Sequence, residues 1–295
     1  GGSPSISGWT TTSCNAFDYM FYLATSFNQP IGSWDVSNCS NFNGMFRSAG
    51  SFNQDIGSWD VSNATTMADM FNLATNFNQD LSSWNVSGVT NMHSTFENAD
   101  SFNQNIGSWD VSGVEGISTS SSFARMFYQN GVFNNGGSPS ISGWTFGSND
   151  NSMYEMFYLA TSFNQPIGSW DVSGARYDVS RMFLNASLFN NGGSPSISGW
   201  TFGTPSNGHN FSSMFQGADT FNQPIGSWTW PTGSVMNMDS MFNSANNFNQ
   251  DIGSWDVSGV GSGVGSTFFS MFSSASSFNN GGSPSISGWT ISNVP

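Results

Sequence analysis

The chain has 295 residues, only 7% of them charged, and its 18 acidic residues against four arginines give a formal net charge of −14. A surface that tracks phosphates needs clustered cations, which argues against nucleic-acid binding. Ser, Asn and Gly abound as in a disordered tail, yet 16% of residues are aromatic and 28 are Phe, so the chain is expected to fold.

Repetition is the dominant feature of the sequence. The stretch FNQPIGSWDVS at 27–37 returns as FNQDIGSWDVS at 52–62 and FNQNIGSWDVS at 102–112, and unchanged at 163–173. GGSPSISGWT at 1–10 returns at 281–290, and the chain opens on Gly1, so it reads as a stretch of a longer protein. No apolar run approaches the roughly 18 residues of a membrane span.

In chain order, the first predicted elements are a strand beginning at Ile6 and a short helix around Phe21. The helix recurs at Phe46, Phe71, Phe96, Phe127, Phe157, Phe183, Phe215, Phe242 and Phe272, each followed six residues later by Phe and then Asn. Around each, apolar residues fall at i, i+3, i+4, i+7 and i+10, as in Phe42, Met45, Phe46, Ala49 and Phe52, which matches one face of an α-helix. The strand recurs at Ile31, Ile56, Leu81, Ile106, Ile141, Ile167, Ile197, Ile225, Ile252 and Ile286. Trp34 and Val36, two residues apart, would share its inner side.

A unit of about 25 residues cannot bury an apolar face alone, so stacked units sharing one core are expected over the single domain 1–295. The first four Trp-to-Trp steps, Trp9 to Trp109, are each 25 residues and later ones run from 26 to 35, the extra residues falling in loops.

The Ile-x-x-Trp-x-apolar spacing resembles the leucine-rich-repeat signature with Ile and Trp in place of two leucines. The full motif, F/M-x-x-M-F-x-x-A-x-x-F-N-Q-x-I-x-x-W-D-V-S, resembles the BspA-like leucine-rich-repeat surface proteins over nearly the whole chain. That resemblance implies an α/β solenoid: a right-handed stack of about 10 to 11 strand-plus-helix turns with one continuous parallel sheet. It also implies a secreted or surface-displayed protein linked to adhesion, and no enzyme.

Between the inward Trp and Val, the strand would turn outward a ribbon of Ser33, Asp35 and Ser37, then Ser58, Asp60 and Ser62, Ser83, Asn85 and Ser87, and Ser108, Asp110 and Ser112, with Asp171 and Asp256 further along. This is the candidate binding face. Stacked carboxylates repel by about 1 kcal/mol in water at strand spacing, so Asp35, Asp60 and Asp110 are weak candidates for calcium, the only cofactor the sequence suggests. A solvated polar face is the simpler reading.

The Asn after each second Phe (Asn28, Asn53, Asn78, Asn103, Asn134, Asn164, Asn190, Asn222, Asn249 and Asn279) is expected to form a buried amide ladder for turn backbone. Cys14 and Cys39 occupy the same position in adjacent units, which permits a disulfide; Ala64 and Val89, which succeed them, favour two buried thiols. His93 and His209 lie in different repeats without a metal-ligand cluster and read as surface or loop residues.

Nucleophile-elbow, P-loop and dinucleotide motifs are missing, so the expected function is non-enzymatic. The candidates are an extracellular adhesive or structural repeat protein on a cell surface, a virion appendage, or a self-assembling filament subunit. A surface glycan, a surface protein or a second copy would be the partner.

Overall fold

The computed structural model describes residues 5–116, 122–137, 140–146, 151–175, 178–193, 196–203, 208–230, 236–260, 267–282 and 286–289. Among these residues the chain winds as coils stacked one on the next. The α/β solenoid of strand-plus-helix turns does not form. The described residues contain no α-helix, and their regular elements are three-residue 3-10 segments at Ile141–Gly143, Ile197–Gly199 and Asn280–Gly282 and one parallel pair, β1 (His209–Asn210) and β2 (Met236–Asn237). Elsewhere, parallel pairing shrinks to single bridges, as in Ala16 to Asn41 to Thr66 to Asn91.

What replaces the helix is a run of overlapping turns. Met20, Tyr22 and Ala24 donate their N–H groups to Phe17, Tyr19 and Phe21, three residues back. The residues between them donate instead to the next coil: Tyr19 to Asn43, Phe21 to Met45 and Leu23 to Arg47, at 2.8 to 2.9 Å. Every fourth residue takes positive φ, such as Tyr19 at 53° and Leu23 at 59°, or Gly44 and Ser48 at 60°. A left-handed non-glycine residue costs about 1 kcal/mol and cannot continue an α-helix, but it frees its N–H for the neighbouring coil. The apolar pattern i, i+3, i+4, i+7 fits this four-residue alternation as well as a 3.6-residue helix, because over eight residues the two periods diverge by less than one position.

The predicted strand is likewise two turns. Trp34 donates its N–H to Ile31 and Cys39 to Val36. The inward residues are nevertheless those the spacing selects: Ile31, Trp34, Val36 and Cys39 are buried, as are Phe42, Met45, Phe46, Ala49 and Phe52.

Burial comes with a fixed aromatic geometry. The two Phe of each coil, such as Phe46 and Phe52, lie face to face with centroids 3.8 to 4.1 Å apart. Between coils, the first Phe column runs from Phe21 to Phe272 at 5.5 to 5.8 Å per step. Stacked pairs of this kind contribute about 0.5 to 1.5 kcal/mol beyond area burial.

Trp is required where it stands for a polar reason. From Trp34 to Ile6 through Trp289 to Ile252, ten indole N–H groups donate to the Ile or Leu carbonyl of the preceding coil at 2.8 to 3.2 Å, whereas Trp230, outside this column, has its Nε1 buried without a partner among the described residues. Each such carbonyl also accepts the N–H of its own coil's Trp, so both of its lone pairs are used.

The ten Asn form one ladder. From Asn28 to Asn249, each Oδ1 accepts the N–H of the next coil's Asn at 2.7 to 3.0 Å. A second donor reaches the same oxygen, usually the following Gln Nε2, as from Gln54 to Asn28 and Gln79 to Asn53. In coils that read FNNGG, the backbone N–H of Gly136, Gly192 or Gly281 takes the place of Gln. At Gly136 and Gly192 φ is positive, and an added Cβ would overlap the carbonyl oxygen of Asn103 or Asn164. The ladder runs along a corner where its members are exposed or half-buried rather than buried as expected.

This architecture sets two expected results. Far-UV circular dichroism will lack the paired negative bands of an α-helix. Trp84→Phe, which removes the indole bond to Ile56, will lower stability by about 1 to 2 kcal/mol, and Trp84→Ala by about 3 to 5 kcal/mol, both read from urea midpoints.

Candidate functional site

The Ser-Asp-Ser face results from the turn between Trp and Val. With Trp34 and Val36 drawn into the core, Ser33 and Asp35 are exposed and Ser37 half-buried, and the succeeding coils repeat the arrangement. The three positions do different work. The first serine ties coils together: Ser33 Oγ donates to the Ser7 carbonyl, Ser58 to Gly32, Ser83 to Gly57 and Ser108 to Ser82, at 2.6 to 3.3 Å. Its hydroxyl proton is therefore committed to the scaffold.

The central carboxylate folds onto the third residue. Asp35 Oδ1 accepts the Ser37 N–H at 3.0 Å and its hydroxyl at 2.6 Å. Asp110 holds Ser112 the same way, and Asp60, Asp171 and Asp256 accept the N–H of Ser62, Ser173 and Ser258. These are Asx turns. Asn85 makes the same turn, accepting the Ser87 N–H and hydroxyl.

Those bonds stabilise the charged form. The Ser37 hydroxyl, then its N–H, holds the Asp35 carboxyl below the ordinary carboxylate range, and Asp60, Asp110, Asp171 and Asp256 are lowered by the same two bonds. At Asp60 the charge of Asp35 pushes weakly the other way. The result is a row of ionised, orientationally fixed carboxylates, one per coil, with Asn or Thr at intervals. At Asp171 the face deepens into a polar cleft of about 340 Å³ whose other wall carries Gly199 and Thr201.

Asp35, Asp60 and Asp110 are thus each engaged within their own coil, and no group of three or more His, Cys, Asp or Glu able to hold a metal ion occurs among the described residues. Cys39 is buried and Cys14 half-buried, and both are free thiols; burial pushes the Cys39 thiol up.

A second polar cluster had no signal in the repeat. Arg125 lies 3.6 Å from Glu97 and 3.2 Å from Glu155, and Arg181 lies 3.1 Å from Glu155. Tyr128 supports Arg125 at 4.1 Å and stacks on Tyr158 at 4.6 Å. These residues occupy outward positions of the turn run in successive coils, where the motif has variable letters, so only the coil geometry brings them together. Burial raises the Glu97 carboxyl, against the opposing effects of the Ser94 hydrogen bond and Arg125.

The stacked coils and the invariant motif are matched by the family described as Mycoplasma protein of unknown function, DUF285, at residues 3–78, 33–134, 79–200, 117–228 and 196–295. The chain belongs to this family. No curated protein and no solved structure matches it. The DUF285 model matches the chain five times in overlapping stretches, so the family is a repeat family, and this chain is a repeat protein.

Within this DUF285 chain the histidines depart from expectation. His93 is half-buried, with Nε2 3.1 Å from the Ser94 hydroxyl. His209, in β1, is 4% exposed and packs against Phe202 and Phe211. One ring nitrogen bonds the Gly203 backbone while Nε2 is buried without a partner among the described residues, and burial lowers the group from 6.5 to about 4. Phe202, at the motif position that Val36 holds in an earlier coil, lies edge-on against its ring.

Below its ordinary value the unfolded chain protonates His209 while the folded chain does not. Stability from this residue is therefore complete above pH 6.5 and is lost as pH falls toward 4, by up to about 3 kcal/mol. His209→Phe will show a smaller drop in urea midpoint between neutral pH and pH 4 than the parent chain.

Proposed function

We propose that this DUF285 repeat protein is a non-enzymatic, extracellular structural and adhesive surface protein. Its exposed Asp/Asn row and the loops that border it meet the partner, a surface glycan or protein. The observation that carries this reading is the fixed orientation of the row. Each of Asp35, Asp60, Asn85 and Asp110 is exposed while its Oδ1 is locked by the serine two residues on. A partner that contacts several of them loses little side-chain freedom on their account, and weak contacts repeated at a fixed interval add as avidity. The resemblance to BspA-like surface proteins supports display outside the cell. The low charge and apolar core suit a rigid spacer that holds the row away from the surface.

Asn85 supplies the control. Because Asn makes the same turn, Asp35→Asn, Asp60→Asn and Asp110→Asn combined will leave stability within about 0.5 kcal/mol of the parent while removing the charge. On a glycan array or an immobilised surface-protein panel, binding by the parent and at least a tenfold loss in the triple variant are expected. Binding undiminished in the variant would remove the row from the site.

A further inference from the structure

The residue before the core Trp is a serine in most coils, and in each of these, from Ser33 to Ser254, its hydroxyl donates to a backbone carbonyl of the preceding coil at 2.6 to 3.3 Å. In the ISGWT stretches at 141–145 and 197–201 a glycine stands there instead, Gly143 or Gly199. Neither has a positive φ, so backbone geometry does not demand glycine. A Cβ at either position would meet no atom within 4 Å.

The exchange changes three things at once. The carbonyls of Gly107 and Gly168, which occupy the position of Gly32 and Gly57, lose the serine that would have capped them and accept no hydrogen bond among the described residues. Thr145 and Thr201 replace the aspartate of the row; both are exposed, and their hydroxyls have no partner among the described residues. The space of the missing serine side chain stays open. At Gly199 the outcome is the polar cleft of about 340 Å³, at the small end of the range of about 300 to 1,000 Å³ found for small-molecule sites.

The chemistry of this cleft is specific. It offers the Asp171 carboxylate, held by the Ser173 N–H yet with lone pairs to spare, the free Gly168 carbonyl, and the Thr201 hydroxyl, which both donates and accepts. No arginine lines it. A simple cation would gain little here that Asp35 or Asp60 does not offer without a cleft, and an acidic sugar would bring its charge against Asp171 in a chain of net charge −14. Spare uncharged acceptors, a hydroxyl and enclosed volume together suit a neutral ring that carries several hydroxyls.

We propose that the cleft between Asp171 and Thr201 binds one neutral hexose unit of a surface glycan, its hydroxyls donating to the Asp171 carboxylate and the Gly168 carbonyl and sharing a hydrogen bond with Thr201. Two coils earlier, Gly107, Asp110, Gly143 and Thr145 repeat the same set of groups and form a second such site. This inference rests on the reading of the Asp/Asn row as the adhesive face, and it names the class of sugar and the place where it docks.

The repeat itself supplies the test. Gly143→Ser combined with Gly199→Ser restores the usual serine, which fills the space and caps the Gly107 and Gly168 carbonyls; Thr145→Val combined with Thr201→Val keeps the volume and removes the hydroxyls. On an array of neutral hexose-terminated and sialylated glycans, the parent will bind the neutral ones. The serine variant will lose that binding by about tenfold or more while its urea midpoint stays at or above the parent's, and the valine variant will show a smaller loss. A parent that binds no neutral glycan or prefers sialylated ones, or either variant binding like the parent, would overturn the proposal. Binding that survives in the serine variant but is lost on combining Asp35→Asn, Asp60→Asn and Asp110→Asn would dismiss the clefts and leave the adhesive row standing, as would a parent that binds only a surface protein.

Discussion

A coil that closes after about 25 residues, without helix or sheet, cannot satisfy its own backbone; the hydrogen bonds it shares with the coils on either side decide everything else. Half the N–H groups of the Phe turn run close four-residue turns and the other half reach the next coil. Both demands are met only if every fourth residue turns left-handed. The strain is tolerated because a buried backbone group left unpaired would cost as much or more. It also explains why the core is so aromatic. Flat rings stack in the same direction as the coils, so one rise satisfies ring contact and hydrogen bond together.

The period, the inward residues and the Asn positions were all legible in the sequence, because each depends on spacing alone. The secondary structure was not. Phe42, Met45, Phe46 and Ala49 lie on one side in a helix and in a turn run alike, and the residues that decide between them, Gly44 and Ser48, carry little signal: serine, aspartate, leucine and tyrosine all take the left-handed position in other coils. Ile31, Trp34 and Val36 misled similarly, since turns and strand bury the same three side chains. The outward face was legible as composition only. Nothing in the letters distinguishes Ser33, whose hydroxyl is tied to the preceding coil, from Ser37, which is tied to Asp35. The Arg125 and Glu155 network was hidden for a different reason: its members sit at variable positions that come together only once the coils are in register.

The longer coils show how a repeat accepts insertions without losing phase. Where FNQ gives way to FNNGG, the Gln donor disappears and a glycine N–H takes its place on the same Asn oxygen. The second Asn turns inward, Asn135 and Asn191 accepting the N–H of Ile106 and Ile167 in the coil before. Gly136, Gly137, Gly192 and Gly193 are exposed at this corner, and the Phe column and the Trp indole bonds continue across it. Loop length is thereby uncoupled from core geometry, so the surface bordering the Asp row can vary while the row keeps its spacing.

The opposed senses of the bonds between coils have an electrical consequence. In an α-helix all peptide dipoles point one way and leave partial charges of about half an electron at the ends. Along the Phe turn run, the N–H groups point toward later coils, as from Tyr19 to Asn43; the Trp indoles and the Asn corner point toward earlier ones, as from Trp59 to Ile31 and Asn53 to Asn28. The two sides of the molecule therefore carry antiparallel dipoles that offset each other. Each added coil contributes bonds of both senses, so the stack lacks the single shared direction that gives a helix its terminal charges.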